Sequence, residues 1–331
     1  MRKEIIKEIA EKIKKSKKIA ITSHLRPDGD SICTSIALSL MFEQLGKEVD
    51  LINKDNTPVP FNNFPLSKRI KIGQIKGEDY DLIILLECAD VSRSGQEYID
   101  KNFLINIDHH HSNNYYANLN WVEPKLSAVG EMAFYLGEEL EIKFTPEIAT
   151  YLYAAIASDT GSFQFSNTTA EALEICSKLI RMGANPTEIN EILFAQNPPE
   201  KIKLLGQVLS TLELSYNGKI AYITMFRKYL EDLNIKELDT EDITTLVRSI
   251  RGVEIVVFFK QTGDSRYRVS LRSKGRINAA SLAERFGGGG HFHAAGFSIS
   301  GEYENVVENV ISKVIDFIRE EEINELGLPS K

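Results

Sequence analysis

The six histidines of this 331-residue chain fall into three groups, and each group adjoins other residues that can do chemistry. They are His24, His109, His110, His111, His291 and His293. His24 is followed by Asp28 and Asp30 in the segment SHLRPDGDS, so one imidazole and two carboxylates are available there as ligands of a cation. Mixed imidazole and carboxylate ligands suit Mn²⁺, Co²⁺ or Zn²⁺ better than Mg²⁺, which prefers oxygen. The alternative is a PDGD turn in which Asp30 or Ser31 caps the following helix.

Further carboxylates and imidazoles follow other apolar segments. His109 and His110 come directly after FLINI and one aspartate, Glu87 and Asp90 follow DLIILL, and Asp159 follows a predicted helix. Taken singly, each acid is more often a cap or a turn residue. Taken together, they place ligand groups at the ends of several elements, which is what a two-metal hydrolase requires. In such enzymes two ions about 3.5–4 Å apart clamp the attacking and leaving oxygens and lower the pKa of a bound water.

The elements that must position these groups alternate between strand and helix in the first half of the chain, which predicts an open, mostly parallel α/β sheet flanked by helices. The predicted strands are 18–23, 48–52, 81–86 and 103–107, and the predicted helices include 31–45, 129–140 and 145–157. The segment DLIILL is apolar almost throughout, as expected of a strand that is buried on both faces. Open α/β sheets bind ligands beyond the carboxyl ends of their strands.

The second half of the chain changes to hairpin patterns. Strands are predicted at 214–216 and 219–224 around Asn217-Gly218, and at 252–260 and 266–272 around a turn that contains Gly263. A helix at 278–286, a strand at 297–299 and a helix at 303–319 complete the predicted pattern. We therefore predict a metal-binding catalytic domain (1–188), a helical connector (189–213) and a smaller α+β substrate-binding domain (214–331), with a cleft between the domains.

Composition narrows the class of protein. With 43% hydrophobic and 26% charged residues the chain is typical of a globular protein. A net charge of −8 disfavours binding of long duplex nucleic acid, which needs a broad basic surface. The three cysteines have no zinc or disulfide spacing, and there is no signal peptide or apolar run of about 18 residues. We expect a soluble cytoplasmic protein that does not act on membranes.

The motifs, in order, resemble those of the DHH phosphoesterase superfamily. Segments 24–30, 87–93, 108–110 and 159–160 are similar to its four motifs, and SLRSK (270–274) and GGGGHFHAAG (287–296) resemble the DHH-associated substrate-binding domain. The order and separations match the subfamily of oligoribonucleases (nanoRNases) and 3′-phosphoadenosine-5′-phosphate phosphatases. The resemblance covers nearly the whole chain and implies two divalent metal ions, with Mn²⁺ as the expected metal.

The resemblance implies a role for each matched residue. One ion would take His24 and Asp28, the other would take Asp30, His109 and Asp159, and Glu87 would bridge the two. His110 would contact the scissile phosphate as an acid to the leaving oxygen, with the positive charge of Arg93 nearby. The implied substrate-binding residues, which would hold a phosphate through side chains and backbone N–H groups, are Ser270, Arg272, Gly288, Gly289, Gly290 and His291.

One residue departs from the family pattern, which has Asp where this chain has Glu87. The carboxylate of Glu would reach about 1.5 Å further, one extra methylene, and we do not expect Asp90 to compensate. His111 and His293 are extra to the motifs and are expected to be surface or cleft polar residues. Core packing is the expectation for Phe163 and Phe165, and base stacking is the alternative.

The leading functional hypothesis is hydrolysis of short oligoribonucleotides, such as nanoRNA and 5′-pApA, to mononucleotides. Removal of the 3′-phosphate from 3′-phosphoadenosine 5′-phosphate fits the same class. Two alternatives stay open: an inorganic pyrophosphatase of the DHH type, and a non-catalytic nucleotide sensor, which Glu87 alone favours. The family resemblance also implies a homodimer.

Overall fold

A computed structural model of the chain describes residues 2–235 and 241–325. The chain divides into two compact units between Gln196 and Asn197. The predicted connector, 189–213, is therefore shared between the units: its first part belongs to the last helix of the first unit, and its remainder begins the second unit. No helix in the described ranges is long and apolar enough to cross a membrane.

The first unit is built on a six-stranded parallel sheet, which confirms the predicted fold class. Its strands are β1 (Lys18–Ser23), β2 (Glu48–Asn53), β3 (Ile70–Ile72), β4 (Leu82–Leu86), β5 (Leu104–Asp108) and β6 (Leu119–Val122). The spatial order is β3-β2-β1-β4-β5-β6. Strands β2 and β3 therefore lie on one side of β1, and β4, β5 and β6 lie on its other side. All five residues of β4 are buried, because both faces of the sheet are covered.

Six helices pack around this sheet. They are α1 (Arg2–Lys15), α2 (Gly29–Gln44), α3 (Val129–Glu139), α4 (Pro146–Asp159), α5 (Ala170–Arg181) and α6 (Pro186–Phe194). Three element boundaries differ from the sequence prediction in a way that concerns the site. Helix α2 begins at Gly29 and not at residue 31, β5 runs one residue further to Asp108, and α4 extends to Asp159 and so includes this residue.

The second unit contains a mixed six-stranded sheet of order β11-β12-β10-β9-β8-β7, antiparallel except for the parallel pair β8 and β9. Its elements are α7 (Pro199–Leu209), β7 (Glu213–Ser215), β8 (Ile220–Met225), α8 (Arg227–Asp232), α9 (Glu241–Arg248), β9 (Ile255–Gly263), β10 (Arg266–Ser273), α10 (Ala279–Glu284), β11 (Gly289–His291), β12 (Ala294–Ser300) and α11 (Tyr303–Glu325). Asn217 and Gly218 have positive φ and join β7 to β8, as the sequence predicted.

Candidate functional site

The carboxyl ends of β1 and β4 lie side by side at the centre of the first sheet, where the strand order reverses. The register pairs Ser23 with Leu86, so the next residues, His24 and Glu87, leave the sheet next to each other. A reversal of this kind opens a crevice outside the strand ends, and open α/β sheets bind their ligands there. The sequence placed these two residues at strand ends, and the sheet order makes them neighbours.

The first group of possible metal ligands consists of His24, Asp28 and Glu87, whose ligand atoms lie within 4.8 Å of one another. His24 Nδ1 faces the carbonyl oxygen of Leu25 at 2.8 Å, so this nitrogen must carry the proton and donate it. His24 Nε2 is then the free nitrogen, 3.5 Å from Asp28 Oδ2 and 3.7 Å from Glu87 Oε2. A hydrogen bond that fixes the second ring nitrogen is the usual support of a metal-binding imidazole.

Asp28 has a different task for each of its carboxylate oxygens. Its Oδ1 accepts the backbone N–H of Ser31 at 3.0 Å and thereby caps α2, while Oδ2 faces His24. The backbone N–H of Asp28 donates in return to Ser31 Oγ at 3.2 Å, which completes a capping box. The cap of α2 is therefore Asp28, and the alternative in which Asp30 or Ser31 caps this helix is wrong. Capping and ligand roles are compatible here because they use different oxygens.

The second group consists of Asp30, Glu87 and His109, again with ligand atoms within 4.8 Å of one another. His109 Nδ1 donates to the carbonyl oxygen of Leu126 at 3.1 Å, and Nε2 lies 3.8 Å from Asp159 Oδ2. Glu87 thus belongs to both groups, and Asp159 lies beside the second one.

Asp30 also supports the start of another helix. Its carboxylate accepts the backbone N–H groups of Val129 at 2.5 Å and Gly130 at 2.9 Å, and the hydroxyl of Thr34 at 2.9 Å. These N–H groups belong to the first turn of α3, whose N-cap residue Ala128 has no polar side chain. A negative charge is favourable at a helix N-terminus, so Asp30 fixes α3 against the site. No local sequence pattern indicates this long-range cap.

Glu87 has an uncommon backbone conformation and a buried side chain. Its backbone has a φ of +56°, a left-handed conformation that Asp and Asn adopt more readily than other side chains. The side chain is 1% exposed, and its Oε1 has no hydrogen-bond partner among the described residues. Burial, followed by the charges of Asp28 and Asp30, raises the pKa of Glu87 well above its usual value. A buried carboxylate of this kind is costly unless something compensates its charge.

Asp30 and Asp159 add to the negative charge around Glu87. Burial, and then the charge of Asp30, raises the pKa of Asp159 to about 7. Burial also raises the pKa of Asp30, although the electrostatic effect of His109 opposes the shift. Closely spaced buried carboxylates with two free imidazole nitrogens are a donor set that fits divalent cations. Asn167 Nδ2 donates to the backbone oxygen of Asp159 at 3.1 Å and so helps to fix it.

His110 is oriented by a buried acid that the sequence analysis did not single out. Its Nδ1 donates to Asp108 Oδ1 at 2.7 Å, and Asn113 Nδ2 donates to Asp108 Oδ2 at 2.5 Å. The hydrogen bond to Asp108 raises the pKa of His110, which leaves a positively polarised ring with Nε2 available. Arg93 lies on the short turn Val91–Ser94 with an exposed side chain, and its charge acts on His24.

A cavity of about 390 Å³ in the second unit contains part of the predicted substrate site. Ser270, Arg272, Gly289 and Gly290 line it, and Gly288 and His291 do not. Other residues of its lining that the sequence analysis missed are Thr244, Lys260 and Arg268. Arg268 and Arg272 each lie two residues from Ser270 on β10, so the three residues share one face of the strand. This alternation is visible in the sequence.

Two protein-family models match the chain. The DHH family, N-terminal domain, matches residues 18–156, and the DHHA1 domain matches residues 217–320. The bifunctional oligoribonuclease and PAP phosphatase NrnA of Thermus thermophilus is 33% identical over 298 residues, which cover 88% of this chain and 89% of that protein. The chain belongs to the DHH family.

Solved structures show the same fold. An exopolyphosphatase-related protein from Bacteroides fragilis has a TM-score of 0.82 at 23% identity, and the match covers 98% of this chain and 97% of that one. RecJ from Thermus thermophilus, crystallised in complex with Mn²⁺, has a TM-score of 0.52 at 13% identity, with 95% of this chain and 55% of that chain covered. The predicted family and fold class are confirmed.

Several residues of this DHH family chain lie outside both ligand groups. Asp90 accepts the backbone N–H of Ser92 at 2.9 Å and caps the turn that follows, so its carboxylate has another partner. His111 is exposed, and His293 Nδ1 lies 3.1 Å from the hydroxyl of Ser273.

The two phenylalanines that follow Asp159 differ from each other. Phe163 packs edge-on against Tyr153, with ring centroids 5.9 Å apart, and joins the core as expected. Phe165 is 54% exposed, so the expectation of core packing is wrong for this residue. After α4 the chain has positive φ at Gly161, Ser162 and Phe163, which is a left-handed turn before Phe165.

Proposed function

We propose that this chain is a two-metal phosphoesterase that hydrolyses short oligonucleotides, including nanoRNA and 5′-pApA, to mononucleotides. We also propose that it converts 3′-phosphoadenosine 5′-phosphate to AMP. The observation that carries the proposal is the membership of Glu87 in both ligand groups. A carboxylate shared by two ligand groups suits a pair of cations close enough to act on one phosphate. The relative named as an oligoribonuclease and PAP phosphatase supports the substrate class.

Two divalent cations would be bound around Glu87. His24 and Asp28 would hold one, and Asp30, with His109 and Asp159, would hold the other. When bound, the cations supply an activated water and neutralise the charge that develops on the phosphoryl oxygens. Mixed imidazole and carboxylate ligands favour Mn²⁺, and replacing Mn²⁺ by Mg²⁺, Co²⁺ or Zn²⁺ in the assay tests this preference.

The side chains around the cations would perform the remaining tasks. His110, fixed through Nδ1 by Asp108, presents Nε2 as the proton donor to the leaving oxygen. Arg93 adds positive charge near the reacting phosphate. In the second unit, Ser270 and Arg272 would hold a phosphate that is not cleaved, since a guanidinium binds phosphate through two parallel hydrogen bonds.

The decisive experiment follows AMP release from pApA by the purified chain in Mn²⁺, beside a trinucleotide, 3′-phosphoadenosine 5′-phosphate and pyrophosphate. His109→Ala and Asp159→Ala should abolish turnover because each removes a cation ligand. Arg272→Ala should mainly raise KM. His111→Ala is the matched control, because this exposed neighbour lies outside both ligand groups and should keep the wild-type rate.

Three outcomes contradict the proposal. Wild-type rates in His109→Ala and Asp159→Ala would show that the proposed cation site is not the catalytic site. Turnover of pyrophosphate alone would favour a pyrophosphatase, and tight nucleotide binding without any turnover would favour a sensor. The homodimer stays a prediction, which sedimentation velocity tests directly. A cytoplasmic location is also a prediction, and the three buried free cysteines are consistent with it.

A further inference from the structure

Phe165 is an exposed aromatic residue in a turn that contacts Asp159, one of the proposed cation ligands. The residue is 54% exposed, and it joins none of the hydrophobic cores that the described residues form. A single exposed apolar residue is common on protein surfaces and needs no explanation by itself. Two features distinguish Phe165 from such a residue: its ring is supported by Gly161, and its turn is attached to Asp159.

The ring of Phe165 lies flat against the backbone of Gly161. A Cβ atom built on Gly161 would be 2.4, 2.5 and 2.6 Å from Cζ, Cε1 and Cε2 of Phe165. These nearly equal distances place the Cβ position above the ring, because no point beyond the edge of the ring and in its plane is equally far from all three atoms. Gly161 has a φ of +55°, so its backbone conformation and the close ring contact both favour glycine. One face of the ring is therefore covered by backbone, and the exposed area includes the opposite face.

Backbone hydrogen bonds hold Phe165 in this position. Its N–H donates to the carbonyl oxygen of Thr160 at 3.0 Å, and its own carbonyl oxygen accepts the N–H of Thr168 at 3.1 Å. Thr160 directly follows Asp159 and is buried, and its hydroxyl donates to the carbonyl oxygen of Ile156 in α4 at 2.6 Å. A side chain on a backbone that is fixed in this way loses less conformational freedom when it binds a ligand.

The same turn returns to Asp159 through Asn167. Asn167 Nδ2 donates to the backbone oxygen of Asp159 at 3.1 Å and lies 3.4 Å from its Oδ2. The backbone oxygen of Asn167 accepts the hydroxyl of Ser127 at 2.6 Å, which joins the turn to the segment before α3. One short, fixed turn therefore presents an aromatic face beside a proposed cation ligand.

We propose that Phe165 stacks on a nucleobase of the substrate, namely the base of a nucleoside that is joined to the phosphate at the cation centre. Stacking on an aromatic ring tolerates any base, because every base has a π-face. The ring would thus favour phosphoesters that carry a nucleoside over inorganic pyrophosphate, without selecting a nucleotide sequence. This inference rests on the proposed function and deepens it by naming a specificity residue.

The test is a thermodynamic cycle between the ring and the base. The substrates are pApA and two analogues that lack either its first or its second base, and the chains are the wild type, Phe165→Ala and Phe165→Tyr. For the wild type in Mn²⁺, kcat/KM should be about 5–100-fold lower for the analogue that lacks the stacked base. Phe165→Ala should show the same loss on pApA, with less than about twofold further loss on that analogue. Phe165→Tyr keeps the aromatic face and should stay within about twofold of the wild type.

Two readouts separate stacking from a structural role. Phe165→Ala should retain the full thermal stabilisation by Mn²⁺, because Asn167, and not the ring, donates to Asp159. Tyr98→Leu removes another exposed aromatic ring of the first unit and is the control, which should leave kcat/KM for all three substrates unchanged. Equal losses by Phe165→Ala on all three substrates, or a wild-type rate of this variant on pApA, would overturn the stacking.

Failure of this inference and failure of the proposed function give different results. If the wild-type chain cleaves none of the substrates, the proposed function fails, and calorimetry with AMP and ribose 5-phosphate in Mn²⁺ tests the ring alone. The wild type should bind AMP about 5–100-fold more tightly than ribose 5-phosphate, and Phe165→Ala should reduce this ratio by at least about fivefold. A ratio that Phe165→Ala leaves unchanged would overturn the stacking. If pApA is cleaved equally well by the wild type and by Phe165→Ala, the phosphoesterase function stands and the stacking fails.

Discussion

Glu87→Gln keeps the size of the side chain and removes its charge, so it tests the cation centre without creating a cavity. Because Glu87 belongs to both ligand groups, one substitution weakens both proposed cation sites. A cation at about one hundred times its dissociation constant stabilises the folded state by about 2.7 kcal/mol. For a unit of roughly 200 residues each bound cation raises Tm by about 5–11 °C. We expect a shift of this size when Mn²⁺ is added to the metal-free wild-type chain.

In Glu87→Gln the shift should nearly disappear. If the variant binds Mn²⁺ about 100-fold more weakly, the same Mn²⁺ concentration contributes only about 0.4 kcal/mol, or about 1 °C, at each site. The metal-free variant should be at least as stable as the metal-free wild type at pH 8. The reason is that burial raises the folded-state pKa of Glu87 well above 4.5, so its contribution to stability falls as pH rises from about 4.5 towards the folded-state pKa.

The measurement is thermal unfolding in EDTA and in a Mn²⁺ titration, with Glu97→Gln as the control for loss of an exposed glutamate. Glu97→Gln should keep the full shift. A full Mn²⁺ shift in Glu87→Gln would show that Glu87 is not shared between cation sites. A metal-free variant that is several degrees less stable than the metal-free wild type would refute the account of the unpaired buried carboxylate.

Two further substitutions test the groups around the site. Asp108→Asn should lower kcat for pApA by about 10–100-fold, because His110 loses the acid that orients it, while the Mn²⁺-induced Tm shift is retained. An equal loss of that shift would instead assign Asp108 to the cation centre. Gly288→Ala should cost about 1–3 kcal/mol of stability, since a Cβ there would lie 2.2 Å from the carbonyl oxygen of Gly296. Gly289→Ala meets nothing within 4 Å and is the control; equal Tm values for the two variants would contradict this packing argument.

Local patterns were sufficient for much of the first sheet. The uninterrupted apolar segment of β4 predicted a strand buried on both faces, and it is buried throughout. Strands β3 and β6 were not predicted, because they have three and four residues and are too short for a periodic pattern. The prediction of β5 ended one residue early, which hid the buried position of Asp108.

The sequence by itself determined the types of ligand groups, the order of the motifs and the membership of the DHH family, because these depend only on residue identity and spacing. The tertiary structure decided which atom performs which task. Asp30 receives N–H groups from residues 99 and 100 positions further along the chain. Lys260 faces Arg268 only through the strand register, and Glu87 joins two ligand groups only because β1 and β4 are adjacent. Such contacts depend on how distant elements pack against each other, so local sequence patterns do not predict them.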